Sequence, residues 1–245
     1  MNKETRNYLT TVIFRIDSAD PIKLLPDNIE KVKTKIEDRL SELNKGQLEM
    51  IEVAMGPEEQ RTIRKKSDVF DFKNKEENEQ VHIEQNAIFF AVKKYKDFKY
   101  FRTLISDVLT ELNLKGNSSR LGLRYINQIT IGEGNPFDWK GWVNANLITG
   151  LKFVDKKEFL ARSMGIITYI FDDLKIKFQY GMYNSEFPNP ISKREFVLDY
   201  DCATKEPRDL GESLDLLDRM HDLIKEKYKE SIDIEFEKQI GEAPL

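Results

Sequence analysis

From Gln47 to Tyr95 the chain reads as one strand after another, with no helix between them. Parallel neighbours need a crossover of about a dozen residues or more, so such a run pairs antiparallel and excludes a doubly wound parallel sheet. The candidate strands are Gln47–Met55, Arg61–Phe72, Glu79–Gln85 and Ala87–Tyr95, each containing β-branched or aromatic residues. KNKEENEQ, Lys73 to Gln80, is wholly polar and reads as a hairpin loop.

Amphipathic stripes supply the helices. Before the strand run, YLTTVIFRID (Tyr8–Asp17) is a first strand, and Ile29, Val32, Ile36, Leu40 and Leu43 fall on one stripe. That spacing predicts a helix over Asp27–Leu43, with Asp27 and Glu30 at capping-box spacing. A second helix over Asp97–Leu112 carries Phe101, Leu104, Ile105, Val108, Leu109 and Leu112 on one face. A third spans Leu210–Tyr228, with Leu214, Leu217, His221, Ile224 and Tyr228 at steps of three and four.

GEGNPFD, Gly132 to Asp138, is the densest cluster of breakers and divides the chain into 1–132 and 133–245. Asp138 then caps a short helix with Trp139, Trp142 and Leu147. Strands follow at Phe159–Phe171, Leu174–Tyr183 and Arg194–Cys202. Each half is several antiparallel strands followed by one long helix. The fold class is α+β with mainly antiparallel sheet, arranged as two sheet-plus-helix lobes, and an ancient duplication is conceivable.

Composition restricts the chemistry. The chain has 245 residues, a net charge of −4, one cysteine and two histidines. Cys202 has no intramolecular disulfide partner and no zinc-type cysteine pair exists. With only His82 and His221, a histidine-rich metal site within one chain is excluded. No Walker or dinucleotide fingerprint follows Gly132 and Gly134, and no nucleophile elbow accompanies either histidine. The first residues lack a secretory pattern and no apolar stretch reaches membrane-span length, so the expected setting is cytoplasmic without a membrane partner.

Three places carry candidate function. In RLGLRYINQI (Arg120–Ile129), strand alternation puts Leu121, Leu123, Tyr125, Asn127 and Ile129 on one face and Arg124 and Gln128 on the other. The Arg124 guanidinium can grip a carboxylate or phosphate, with Gln128 as a second donor. The competing reading is an internal Arg–carboxylate pair beside a satisfied Asn127. In FVLDYDC, Asp199 and Asp201 share a strand face and can hold a divalent metal for phosphoryl transfer, or simply face solvent at a strand end. Arg61, Arg64, Lys65 and Lys66 make a basic strip that suits single-stranded nucleic acid or guards a sheet edge, and the acidic overall balance disfavours nucleic acid. Trp139 and Trp142 are either an exposed aromatic anchor or core.

RLGLRYINQI, FDWKGW and FVLDYD before a final amphipathic helix resemble a sporadically distributed prokaryotic family of proteins of about 250 residues whose role is uncharacterised. The clearest points are Leu123-Arg124-Tyr125-Ile126-Asn127 and Leu198-Asp199-Tyr200-Asp201, where LDYD stands for a more familiar LDID. The resemblance implies a bacterial or archaeal protein, linked by patchy distribution to defence or mobile gene clusters, and carries over no catalytic residue. The expected function is non-catalytic binding or regulation of a protein partner. Its working surface is expected around Arg124, Asn127, Gln128 and Trp142, and a homo-oligomer is compatible with it. The rivals are a metal-dependent phosphoryl-transfer enzyme or nuclease using Asp199 and Asp201, and a nucleic-acid binder.

Overall fold

The computed structural model describes residues 8–55, 60–132, 134–233 and 236, with the side chains of 50–65 outside that description. The strands are β1 (Leu9–Ser18), β2 (Glu42–Met55), β3 (Gln60–Lys73), β4 (Glu79–Ile83), β5 (Ala87–Val92), β6 (Asn117–Ile131), β7 (Ser163–Ile170), β8 (Leu174–Met182), β9 (Arg194–Thr204) and the short β10 (Arg208–Asp209). The helices are α1 (Pro26–Ile36), α2 (Phe98–Leu112) and α3 (Ser213–Ser231), and a 3₁₀ stretch covers Ala145–Phe153.

These strands form a single sheet in the order β2-β3-β4-β5-β1-β6-β9-β8-β7, with β10 beside β6, and every pairing is antiparallel. The α+β, antiparallel class read from the sequence is the class observed. The two expected sheets are one, however. β6 pairs with β1 on one side and over ten residues with β9 on the other, so the ladder runs across residue 132 without a break. Local patterning cannot show this, because β6 has an apolar face whichever neighbour it takes. Both halves follow one plan: a first strand, an excursion, a meander that returns beside that strand, and a long helix.

One face of the sheet carries the core. Register aligns Phe72, Val81, Phe90, Phe14, Leu123, Cys202 and Ile176 across seven strands, all fully buried and all in the same apolar cluster as the helix stripes. From α1 come Ile29, Val32 and Ile36, from α2 Phe101, Leu104, Ile105 and Val108, and from α3 Leu217, Met220 and Ile224. Burying this many side chains, each at about 1.5–3 kcal/mol, is the dominant favourable contribution to the fold.

Several local expectations differ from the structure. α1 starts at Pro26, with Leu25 as its N-cap residue and no side-chain cap; the Asp27/Glu30 capping box does not form. Proline fixes the first-turn φ without needing the cap. The helix also ends at Ile36, not Leu43. Just beyond, Arg39 is held by Glu79, by the Tyr100 carbonyl (2.7 Å) and by the Tyr100 ring (3.5 Å to its centroid). Those tertiary contacts turn the chain, and Leu43 enters β2. No helix begins at Asp138, which accepts a 3.3 Å bond from the Lys140 amide in a turn, and the helical stretch there is 3₁₀ and starts at Ala145.

The β2–β3 hairpin outruns the sheet. Its strands pair from Glu42–Lys73 to Met55–Gln60, yet β4 pairs with β3 only at Phe70–Lys73. Residues 60–69 and their partners on β2 project about 30 Å as a two-stranded ribbon.

Candidate functional site

The face opposite the helices is where the notable side chains gather. Among the described residues no helix covers it. Its central strands present Ile13, Arg15 and Asp17 from β1, and Arg120, Gly122, Arg124, Ile126 and Gln128 from β6. β9 adds Val197, Asp199 and Asp201, and β8 adds Lys175, Lys177 and Gln179. The alternation read from RLGLRYINQI is the one observed: Leu121, Leu123, Tyr125, Asn127 and Ile129 are buried under the helices.

Arg124 and Asp199 form a bidentate pair, Nε to Oδ1 at 2.8 Å and Nη2 to Oδ2 at 2.7 Å. Direct register opposes Arg124 to Asp201, so the pair is diagonal across the ladder. Asp201 is instead reached by Arg120, whose Nη2 lies 3.1 Å from Oδ1. Gly122 makes that reach possible. A Cβ at Gly122 would sit 3.1 Å from the Arg120 guanidinium, which lies across the glycine. Asp17 closes the network, 2.7 Å from Arg15 Nε and 3.9 Å from Arg120 Nη1.

The network is electrostatically lopsided. Five cations (Arg15, Arg120, Arg124, Lys175 and Lys177) share this area with Asp17, Asp199 and Asp201. A fourth carboxylate, Glu195, is buried and turned onto the Ser185 amide and hydroxyl, both at 2.9 Å. Lys175 and Lys177 are exposed and make no ion pair among the described residues. The Arg124 side chain is 42% exposed, against 12% for Asp199, and its Nη1 makes no hydrogen bond among the described residues. The hydrogen bond to Asp199 holds the Arg124 pKa above its ordinary value, against the opposing pull of burial. One edge of a fixed, permanently charged guanidinium therefore stays open to an incoming anion.

The other residues singled out from the sequence are dispersed. Gln128 lies on the uncovered face and donates its side-chain amide to the Tyr183 hydroxyl. Asn127 is buried on the helix side and donates to the Leu198 carbonyl at 3.3 Å, a satisfied structural amide. Trp142 is also away from Arg124, packed 5.1 Å from Phe236 with the Arg194 guanidinium 5.7 Å from its ring. The sheet itself separates Arg124 and Gln128 from Asn127. Trp139 is fully buried against Phe196, its indole N–H donated to the Pro136 carbonyl at 3.0 Å.

Asp199 and Asp201 do share a face, but their oxygens are directed to guanidinium groups. A divalent cation between them would have to displace both arginines. Among the described residues no group of three or more His, Cys, Asp or Glu is placed to hold a metal. The side chains of Arg61, Arg64 and Lys65 lie outside the described residues; Lys66 is exposed on β3 opposite Glu49.

The two histidines have separate surroundings. His82 Nδ1 is 2.8 Å from Asp71, which also accepts a 2.8 Å bond from Gln80. Burial pushes the Asp71 pKa up, but the bonds from His82 and Gln80 outweigh it and leave a net lowering. His221 stacks flat on Phe98 at 3.7 Å and meets the Tyr125 hydroxyl at 2.9 Å through Nδ1. Burial lowers its pKa to about 4, and burial raises the Cys202 thiol to about 12. Neither is exposed to a substrate, and both serve the core. A cavity of about 390 Å³ lies at one end of the sheet, lined by Ile22, Asn28, Leu112 and Leu114 among others, and includes none of the residues singled out above.

Sequence reading missed Arg15, Arg120, Lys175 and Lys177 as members of the site. Each alternates correctly for the uncovered face, but only the strand order brings them together. No protein-family model matches the chain, and no curated protein matches it either.

Proposed function

We propose that the protein is a non-catalytic binding or regulatory protein of a prokaryotic cytoplasm, and that its uncovered sheet face takes an acidic segment of a protein partner. One observation carries this reading: the Arg124 guanidinium is held rigidly by Asp199 yet keeps Nη1 free, inside a cation-rich strip completed by Arg15, Arg120, Lys175 and Lys177. A preorganised cation loses little freedom on binding a carboxylate, whereas a solvated lysine loses more. Among the described residues no helix is long and apolar enough to cross a membrane. The link to defence or mobile gene clusters belongs to this proposal through the resemblance of LRYIN and LDYD.

Titration with a fluorescent oligoglutamate peptide tests it. Binding is expected to weaken steeply with salt and to fall about tenfold in a Lys175→Ala/Lys177→Ala protein, whose altered residues are exposed. Arg124→Lys, which keeps the charge but loses the bidentate fork, is expected to weaken it further. Equal retention of peptide by all variants removes the reading. Stronger retention of a single-stranded oligonucleotide than of the peptide would replace it with nucleic-acid binding.

A further inference from the structure

The two free edges of the sheet are built differently. β2 exposes Glu42, Lys45 and Glu49 along its edge, the charges that commonly keep an open strand from pairing with another chain. β7, at the opposite edge, reads Ser-Met-Gly-Ile-Ile-Thr-Tyr-Ile and has no charged residue, no proline and no bulge. Among the described residues it pairs only with β8, and no other backbone hydrogen bond involves residues 163–170. Its outer N–H and C=O groups are therefore available. Along the uncovered face Met164, Ile166 and Ile170 are 41%, 61% and 63% exposed, an apolar row on a strand whose Ser163–Gly165 end borders the 3₁₀ stretch across a small pocket.

We infer that β7 pairs antiparallel with β7 of a second copy of this chain, joining two sheets into one across a twofold axis at Ile167. The strand is self-complementary in that register. Met164 falls opposite Ile170 of the second copy, and Ile166 opposite Thr168, so the exposed apolar rows meet on one face. The flanks supply charge complementarity. Arg162 and Asp172 lie at equal distances from Ile167 along the sequence; both are exposed, and among the described residues neither side chain is in an ion pair, Arg162 donating Nε to the Tyr183 carbonyl at 2.8 Å with its guanidinium 4.0 Å from the Phe187 ring. The twofold brings each Arg162 to the neighbourhood of Asp172 of the other copy, twice over. Lys175 and Lys177 on β8 are held about 14 Å from their counterparts by the two intervening strands, beyond the screening length of about 8 Å in physiological salt.

Sedimentation of the full chain over a micromolar concentration range tests the pairing. A monomer–dimer equilibrium is expected, and Ile166→Lys/Ile170→Lys weakens it at least tenfold while far-UV circular dichroism and the unfolding midpoint stay close to those of the parent. Asp172→Arg sets two arginines together and weakens the dimer; adding Arg162→Asp restores it, a rescue that depends on the register proposed. A chain that remains monomeric throughout overturns the inference. So does a dimer indifferent to the isoleucine substitutions, or an Asp172→Arg defect that the reciprocal change does not rescue.

Discussion

The Arg124 guanidinium and the Asp199 carboxylate share two near-parallel hydrogen bonds of 2.8 and 2.7 Å, yet they are not equally buried: 42% of the arginine side chain is exposed and 12% of the aspartate. The asymmetry fixes which partner is harder to lose. Arg124→Ala strands a mostly buried carboxylate and is expected to cost about 3 kcal/mol, whereas Asp199→Ala leaves an arginine that can turn to water and should cost about 1 kcal/mol. Urea unfolding of the two single variants measures both. Equal costs, or the reverse order, would mean that the pair is not the chief environment of Asp199.

His221 makes stability depend on pH. Its imidazole is neutral in the fold, with a pKa lowered by burial to about 4 from an ordinary 6.5. The unfolded chain therefore binds the extra proton first, and stability falls as pH drops from about 6.5 towards 4, by at most about 3 kcal/mol. Asp222 and Asp218 oppose burial by smaller amounts, and Lys225 adds slightly to the lowering. Carboxylates whose pKa is lowered in the fold, Asp71, Glu76, Asp173 and Glu186, lose their contribution as pH falls past their ordinary values of 3.8 and 4.5, at the acidic end of that window and below it. In a His221→Phe protein the slope of unfolding free energy between pH 6.5 and 4 is expected to flatten. An unchanged slope would assign it to other groups.

The projecting ribbon adds little to the body. A two-stranded hairpin standing in water is marginal by itself, and residues 47–49 are exposed. Leu48 and Ser67 are register partners, so residues 49–66 can be exchanged for a two-residue Asn-Gly turn between them. The shortened protein is expected to melt within a few degrees of the parent by calorimetry. A loss of cooperative unfolding would show that the ribbon supports the core.

Capping at α2 is a local, additive contribution. Asp97 accepts a 2.7 Å bond from the Tyr100 amide, and the other end closes on Asn113 in the left-handed conformation. Asp97→Ala is expected to cost about 1 kcal/mol. Asp27→Ala on α1, where no side-chain cap forms, should cost clearly less in the same chemical denaturation series.

Much of this architecture was legible in particular residues. The stripe from Phe101 to Leu112 became α2 within a residue at its start, and the alternation around Arg124 assigned both faces of β6 correctly. What stayed hidden was relational. Nothing in FVLDYDC says that Asp199 will sit diagonal to Arg124, because register between strands 75 residues apart is a property of the whole sheet. Nor could spacing reveal that Asn127 and Trp142 would lie away from Arg124, one of them on the far side of a sheet that runs through both halves. The early stop of α1 came from Arg39 finding Glu79 and Tyr100, a tertiary contact that overrode a good helical stripe.

The place of β1 at the middle of the sheet carries a consequence for biosynthesis. Ile13 leaves the ribosome early, but the residues it must lie between, Ala91 and Arg124, are made much later. Until β6 has emerged, the nascent chain holds this central strand with one flank bare, so folding completes late and a ribosome-stalled fragment ending before Asn117 would be a natural client for a chaperone.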